Sequence, residues 1–389
     1  MERIYLDYAA TTPTDPEVLE AMMPYFTERY GNPSSIHGFG QESRKAVEAA
    51  RSRIASFLGA KSEEIVFTSG GTESDNTALF GVLWANAKKG NHVVTTAVEH
   101  HAVIEPAQFL EKQGYKVTYV KPDAQGMIAP DDVAAVLTDK TVLVSVMHAN
   151  NEIGTIQPIR EIGRIVKGKG VYFHTDAVQT VGHIPVDVND LNVDLLSLSA
   201  HKFYGPKGVG CLYVRKGTRL LPFLRGGGQE NRRRASTENL PGIVGTGKAI
   251  EICAKKMDTE ARQQTVWRDR LIAEIPKRID RAYLNGHPNQ RLPNNVNFSI
   301  EFVEGESMLL SLDMLGIAAS TGSACTSGDL EASHVLLSIG RPHELCHGSL
   351  RLTLGRFNKD GDIDRFLEVF PGIVTKLRAM SPLYEEKKS

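Results

Sequence analysis

The chain carries the run Ser197-Leu198-Ser199-Ala200-His201-Lys202-Phe203-Tyr204-Gly205-Pro206-Lys207-Gly208-Val209-Gly210, entered from Asp194-Leu195-Leu196. Its apolar start has the length of a short buried strand, and the Gly/Pro cluster behind closes that strand in a turn. Lys202 is thereby placed at a strand exit, beside His201. Partial shielding from water there favours the neutral amine, the form that acts as a Schiff-base nucleophile. Taken alone the run fits an exposed loop lysine better, so its surroundings have to decide.

Runs of the same texture recur at Ile65–Thr68, His92–Val98, Lys116–Val120, Val142–Met147, Val171–Thr175 and Cys211–Val214, with helical segments between them. The alternation predicts an α/β fold with a mostly parallel, seven-stranded sheet. Ligands bind such sheets at the carboxyl ends of the strands. After about Ala254 the texture becomes charged and helical, then strand-like over Asn295–Phe302. The expected organisation is a large α/β domain over residues 15–254 and a smaller α+β domain built from 1–14 and 255–389.

With 389 residues the chain is long enough for two domains, and a formal net charge of -1 gives no electrostatic reason for nucleic-acid or membrane-surface binding. No apolar run is long enough to span a bilayer and the chain opens on a strand-like Ile4-Tyr5-Leu6, so a cytoplasmic location is expected. The four cysteines, Cys211, Cys253, Cys325 and Cys346, form no CxxC pair, which argues against a disulfide framework or a closed zinc site. Cys211 and Cys253 read as buried apolar residues. Cys325 lies in Ser320-Thr321-Gly322-Ser323-Ala324-Cys325-Thr326-Ser327-Gly328, a stretch of small residues that predicts a mobile loop with an accessible, reactive thiol.

Other strand exits carry chemistry. Ser69-Gly70-Gly71-Thr72-Glu73-Ser74 joins a strand to a helix, where backbone N–H groups and the Thr72 hydroxyl suit a phosphate. Asp176, with Gln179 three residues on, either caps a helix or holds a heteroaromatic nitrogen protonated. His100, in Glu99-His100-His101, is placed to shuttle protons or stack on a flat group, and Asn150-Asn151-Glu152 leaves its strand in the same way. Arg351 alternates with apolar residues on a strand, a setting in which a guanidinium takes a carboxylate partner from protein or substrate. Two patterns read as decoys. His343-Glu344-Leu345-Cys346-His347 matches HExxH between Pro342 and Gly348, which leaves a helix barely longer than the motif. Gly242–Gly247 with Lys248 imitates a phosphate loop, but Ala249 stands where a magnesium-binding hydroxyl is needed, so a helix start is expected. Arg232-Arg233-Arg234 reads as a solvated basic run or an anion contact.

Together these residues resemble the class V aminotransferase group of pyridoxal-phosphate enzymes, and within it the NifS/IscS-type cysteine desulfurases. The likeness runs from Tyr5-Leu6-Asp7-Tyr8-Ala9-Ala10-Thr11-Thr12 to Ser381-Pro382-Leu383. Its most specific parts are Ser199-Ala200-His201-Lys202, Thr175-Asp176-Ala177-Val178-Gln179 and Thr321-Gly322-Ser323-Ala324-Cys325-Thr326-Ser327. The resemblance implies a fold-type I transferase in which Lys202 carries pyridoxal 5'-phosphate as a Schiff base. It further implies that Asp176 pairs with the pyridine nitrogen, Gln179 faces the ring hydroxyl, and His100 stacks on the ring and moves protons. Gly71, Thr72, Ser199, Ala200 and His201 would hold the phosphate side of the cofactor, with Thr237 reaching it from the second subunit of a homodimer. Asn151 would contact the cofactor and, with Arg351, hold the carboxylate of L-cysteine. Cys325 would take the sulfur as a persulfide and pass it to an iron–sulfur scaffold protein or another acceptor, such as the tRNA-thiolation machinery, and would transiently ligate the nascent cluster. Where the family commonly shows Gly-Thr, this chain has Ser236-Thr237, which is expected to loosen the intersubunit phosphate contact. An aminotransferase or selenocysteine lyase on the same fold, a zinc protease and a non-enzymatic sulfur carrier are the competing readings.

Overall fold

The computed structural model describes residues 3–321, 332–381 and 384. The strands are β1 (Ile4–Tyr5), β2 (Ile65–Thr68), β3 (His92–Thr96), β4 (Lys116–Val120), β5 (Thr141–Ser145), β6 (Tyr172–Asp176), β7 (Leu195–Ser199), β8 (Gly210–Val214), β9 (Ala282–Leu284), β10 (Asn295–Ile300), β11 (Ile317–Ala318) and β12 (Ser349–Thr353). Seven of them form the expected sheet, in the order β2-β8-β7-β6-β5-β3-β4. Only β8 runs antiparallel to its neighbours, so the other six strands all point the same way.

The sequence explains why both faces of this sheet are dry. Successive strand residues point to opposite sides. Val66, Val93, Leu143, Leu195 and Leu212 pack with the Gly71–Ala85 helix on one face. Phe67, Val94, Val144, Leu196 and Cys211 enter the larger core on the other face, with the Gly38–Leu58 helix. A sheet covered twice reads as near-continuous apolar runs, which is the pattern of β5 and β7. The observed strands stop earlier than the sequence pattern at two exits: β3 ends at Thr96 and β5 at Ser145, and the chain beyond reaches a cavity at His100 and Met147 respectively.

A second core gathers Leu6, Trp267, Leu271, Val296, Leu350, Leu352 and the apolar face of the Asp360–Met380 helix around the antiparallel order β12-β10-β9. The N-terminal segment joins it through β1 beside β11 and the Asp7–Thr353 bridge. A single 39-residue helix, Leu240–Arg278, connects the two cores. Its first turns, through Cys253, pack into the large core, and Trp267 onward pack into the small one. A boundary at Ala254 therefore falls inside a continuous helix. Val335, Leu336, Ile339 and Cys346 join the large core, although they follow the Cys325 segment in sequence. Asn239 caps the long helix by accepting from the Gly242 N–H at 3.2 Å, which makes Gly242–Lys248 a helix start as expected. No helix among the described residues is long and apolar enough to cross a membrane.

Candidate active site

Five parallel strands deliver their carboxyl ends to one place. The exits of β2, β3, β5, β6 and β7 surround a cavity of about 280 Å³. Gly71, Thr72, His100, Asn151, Asp176, Gln179, Ser199, His201, Lys202 and Arg351 all line it. Ten residues singled out along the sequence, most of them near strand ends, thus meet around a single space. Ala200 lies beneath the wall, with its N–H donated to Val209 O at 3.1 Å and its side chain fully buried. Thr237 faces a separate pocket, beside Ser69 and Arg234. Cys325 lies outside the described residues.

Lys202 ends a short turn, Ala200–Lys202, that follows β7 directly. Its amine donates to Ala9 O at 2.6 Å and Ala10 O at 2.8 Å. The same N-terminal segment clamps the turn elsewhere. Thr12 Oγ1 donates to His201 O at 2.9 Å and accepts from the Tyr204 N–H at 2.8 Å. Thr11 Oγ1 lies 3.0 Å from His201 Nδ1, and the Gln179 amide donates to Ala9 O at 3.1 Å. Sequence reading placed no functional residue in this segment. The signal was there in its small residues, because Ala9 and Ala10 bring bare carbonyls against the lysine.

Asp176 is buried at the end of β6, and its Oδ1 accepts from the Val178 N–H at 2.9 Å. The cap-like reading and the cavity reading are therefore both true of it. Burial pushes its carboxyl up to about 6, against the pull of the Val178 N–H and of Lys202. His100 caps the helix His101–Lys112 by accepting the Ala102 N–H on Nδ1 at 3.1 Å, so its neutral ring carries the proton on Nε2. Burial first, and the nearby Lys202 charge second, lower His100 to about 4. His201 is lowered to about 4 for the same two reasons. The cavity therefore holds neutral imidazoles at neutral pH.

The phosphate-like turn is shaped by a missing side chain. A Cβ on Gly71 would stand 2.7 Å from Val178 Cγ2, closer than any real contact, so glycine keeps the cradle open. Glu73 fixes the turn by accepting from the Ser69 N–H at 2.8 Å and from Arg234 Nε at 2.9 Å. Of the two readings of the basic run, solvated or in contact with an anion, Arg234 takes the second, on a carboxylate of its own chain. Arg351 sits on β12 as predicted and finds its carboxylate in Asp7, at 2.9 Å, with a second bond to Asn151 O at 3.1 Å. Its buried Nε has no partner among the described residues. A guanidinium anchored on one side and unsatisfied on the other is suited to a substrate carboxylate.

The decoys resolve. His343–His347 forms a five-residue helix, and among the described residues no group of three His, Cys, Asp or Glu could hold a metal ion. Cys211, Cys253 and Cys346 are buried thiols, unpaired with one another.

The aminotransferase class-V family matches residues 4–366 of the chain. The cysteine desulfurase IscS of Dictyoglomus turgidum is 58% identical over 385 residues, covering 99% of this chain and 98% of that relative. A solved NifS-like protein superposes with a TM-score of 0.91 at 38% identity, covering 96% of this chain and all of the other. The solved structure of SspA in complex with cysteine is 36% identical, with a TM-score of 0.80 over 90% of this chain and 98% of its own.

Proposed function

Because the chain belongs to the class-V aminotransferase family, we propose that its cavity binds pyridoxal phosphate and that it removes sulfur from L-cysteine, as a cysteine desulfurase. The observation that carries this reading is the meeting of the Lys202 amine, the buried Asp176 carboxyl and the half-satisfied Arg351 guanidinium in one cavity that Gly71 keeps open. The residues fit the cofactor. Gly71, Thr72, Ser199 and His201 would hold its phosphate, Asp176 its ring nitrogen, Gln179 its ring hydroxyl and Lys202 its carbonyl carbon. When bound, it supplies an electron sink for the bond-breaking at the substrate.

The chain's own groups do the rest. Arg351 Nε orients the L-cysteine carboxylate beside Asn151. The Ala9 and Ala10 carbonyls hold the Lys202 amine in place until substrate takes over its position. His100, neutral with its proton on Nε2, gives and recovers a proton at the cavity wall. Cys325 attacks the substrate sulfur as a thiolate; the carbon–sulfur bond breaks, the sulfur stays on Cys325 as a persulfide, and protonated carbon leaves as L-alanine. The persulfide sulfur then passes to acceptor proteins for iron–sulfur cluster assembly.

Thr237 lies away from this protomer's own cavity, which supports a homodimer in which the partner's copy completes the phosphate site. Leu19, Met23, Phe26, Ile36 and Phe39 form an exposed apolar stretch that a second copy would cover. The unpaired thiols suit a reducing, cytoplasmic setting. Borohydride treatment of the protein loaded with pyridoxal phosphate, followed by peptide mass analysis, tests the assignment. The cofactor mass is expected on the Lys202 peptide and alanine is expected from cysteine; a chain that retains no cofactor overturns the reading.

A further inference from the structure

Behind the cavity floor lies a layer of polar side chains that no role above uses. Thr95, Ser145, His174 and Ser197 stand on β3, β5, β6 and β7, the middle of the parallel sheet, and all are fully buried. Asp75, from the Gly71–Ala85 helix, is buried against them and also lines the cavity. His174 is committed on both ring nitrogens, Nδ1 to Ser145 Oγ at 2.8 Å and Nε2 to Ser197 Oγ at 2.9 Å. The Asp75 Oδ1 is 3.5 Å from His174 Nε2, too long for a strong bond, and has no hydrogen-bond partner among the described residues. Two further carboxyls, Asp176 and Glu99, act on Asp75 electrostatically.

We propose that Asp75 is a neutral carboxylic acid behind Asp176, a positioning residue that leaves Asp176 as the single negative charge at the cavity floor. Two buried carboxyls that line one cavity and act on each other do not readily both ionise, and the one with better support for its charge ionises first. Asp176 has the Val178 N–H and the nearby Lys202. Among the described residues Asp75 accepts no backbone N–H, and the basic group paired with it, His174, is held neutral by burial and lowered to about 3. Burial first, then the charge of Asp176, holds the Asp75 carboxyl well above the usual range, against the weaker pull of Ser197. The consequence is a division of labour. Asp176 keeps a full charge for the cofactor's ring nitrogen, and Asp75 supplies a proton donor and volume without a second charge. The inference rests on reading the cavity as the pyridoxal-phosphate site.

Infrared difference spectra of the cofactor-free protein across pH, made with carboxyl-labelled aspartate so that Glu99 does not interfere, test it. An aspartic-acid band is expected at neutral pH, lost in Asp75→Asn and retained in Asp176→Asn. Asp15, the other buried aspartate among the described residues, is paired with Arg356 at 2.5 Å. Even if Asp75→Asn does not fold, a band that survives Asp176→Asn identifies Asp75. Asp75→Asn should also leave the midpoint of Asp176 in place, since one neutral group replaces another. The proposal is overturned if no such band exists at neutral pH, if it vanishes with Asp176, or if Asp75→Asn lowers the Asp176 midpoint by about one pH unit or more, as removal of a second charge would. Binding of pyridoxal phosphate to the same preparation, read by its absorbance, keeps failure of the site reading separate.

Discussion

Glu99 is a carboxyl with nowhere to put a charge. It is fully buried, its Oε1 accepts from Thr96 Oγ1 at 2.8 Å and the Met147 N–H at 2.9 Å, and its Oε2 has no hydrogen-bond partner among the described residues. Burial pushes it up to about 8, with the Asp176 charge adding to the effect. A carboxyl whose folded value is raised contributes stability that is complete below its unfolded value, about 4.3, and is lost as pH rises through 8. Glu99→Gln keeps the two accepted bonds and cannot ionise. The variant should therefore gain thermal stability over the parent progressively between pH 5 and pH 9, measured by calorimetry of the cofactor-free protein; a difference that does not change with pH would contradict the assignment. At the same scale, the places of Asp176 and His100 at or beyond strand ends were legible, but their pKa shifts were not. Those depend on which backbone N–H turns toward them and how much water is excluded, neither of which the local pattern contains.

Among the elements, the N-terminal segment matters more than its length implies. Thr12 ties the Lys202 turn on both sides, and Tyr204 within that turn has φ +66°, a strained conformation for a side chain of its size. Thr12→Val leaves the buried Tyr204 N–H unsatisfied, so unfolding in urea should show a loss of about 1–3 kcal/mol together with weaker cofactor retention. Wild-type stability in that variant would show that the clamp is dispensable. The segment before Thr237 is strained too: Glu230, Asn231 and Arg232 have φ between +46° and +64°, and Ser236 has φ +98°. Buried bonds from Glu230 to Arg51, at 2.7 and 2.9 Å, and to the Phe67 N–H hold this path. The departure from glycine seen in the sequence thus falls on a backbone conformation that glycine adopts at less cost. Ser236→Gly should raise the urea midpoint, with a gain of up to about 1 kcal/mol; an unchanged or lower midpoint would show that the strain is not borne there. The strands and the glycine turn at Gly71 could be read from apolar runs and turn residues, but not the order of the strands in the sheet. The clamp could not, because it joins residues 9–12 to 200–204 across the whole large domain.

For the molecule as a whole, the arrangement is a parallel sheet that presents its strand ends to one cavity, with the second core behind β12 supplying Arg351. The 39-residue helix runs from one core into the other across the expected boundary at Ala254. The proposed substrate-carboxylate and cofactor sites would thus come from different cores, with Asp7 and the Asn151 carbonyl holding the Arg351 side chain. The account's central claim is that this chain takes sulfur from cysteine onto its own thiol. It is tested most directly by mass analysis of the holoenzyme after a brief exposure to L-cysteine without a sulfur acceptor, with released alanine counted in parallel. One added sulfur atom on the Cys325 peptide is predicted, with stoichiometric alanine, and both should be lost in Cys325→Ala while the cofactor stays bound to Lys202. Alanine release and sulfur transfer that continue undiminished in Cys325→Ala would contradict it.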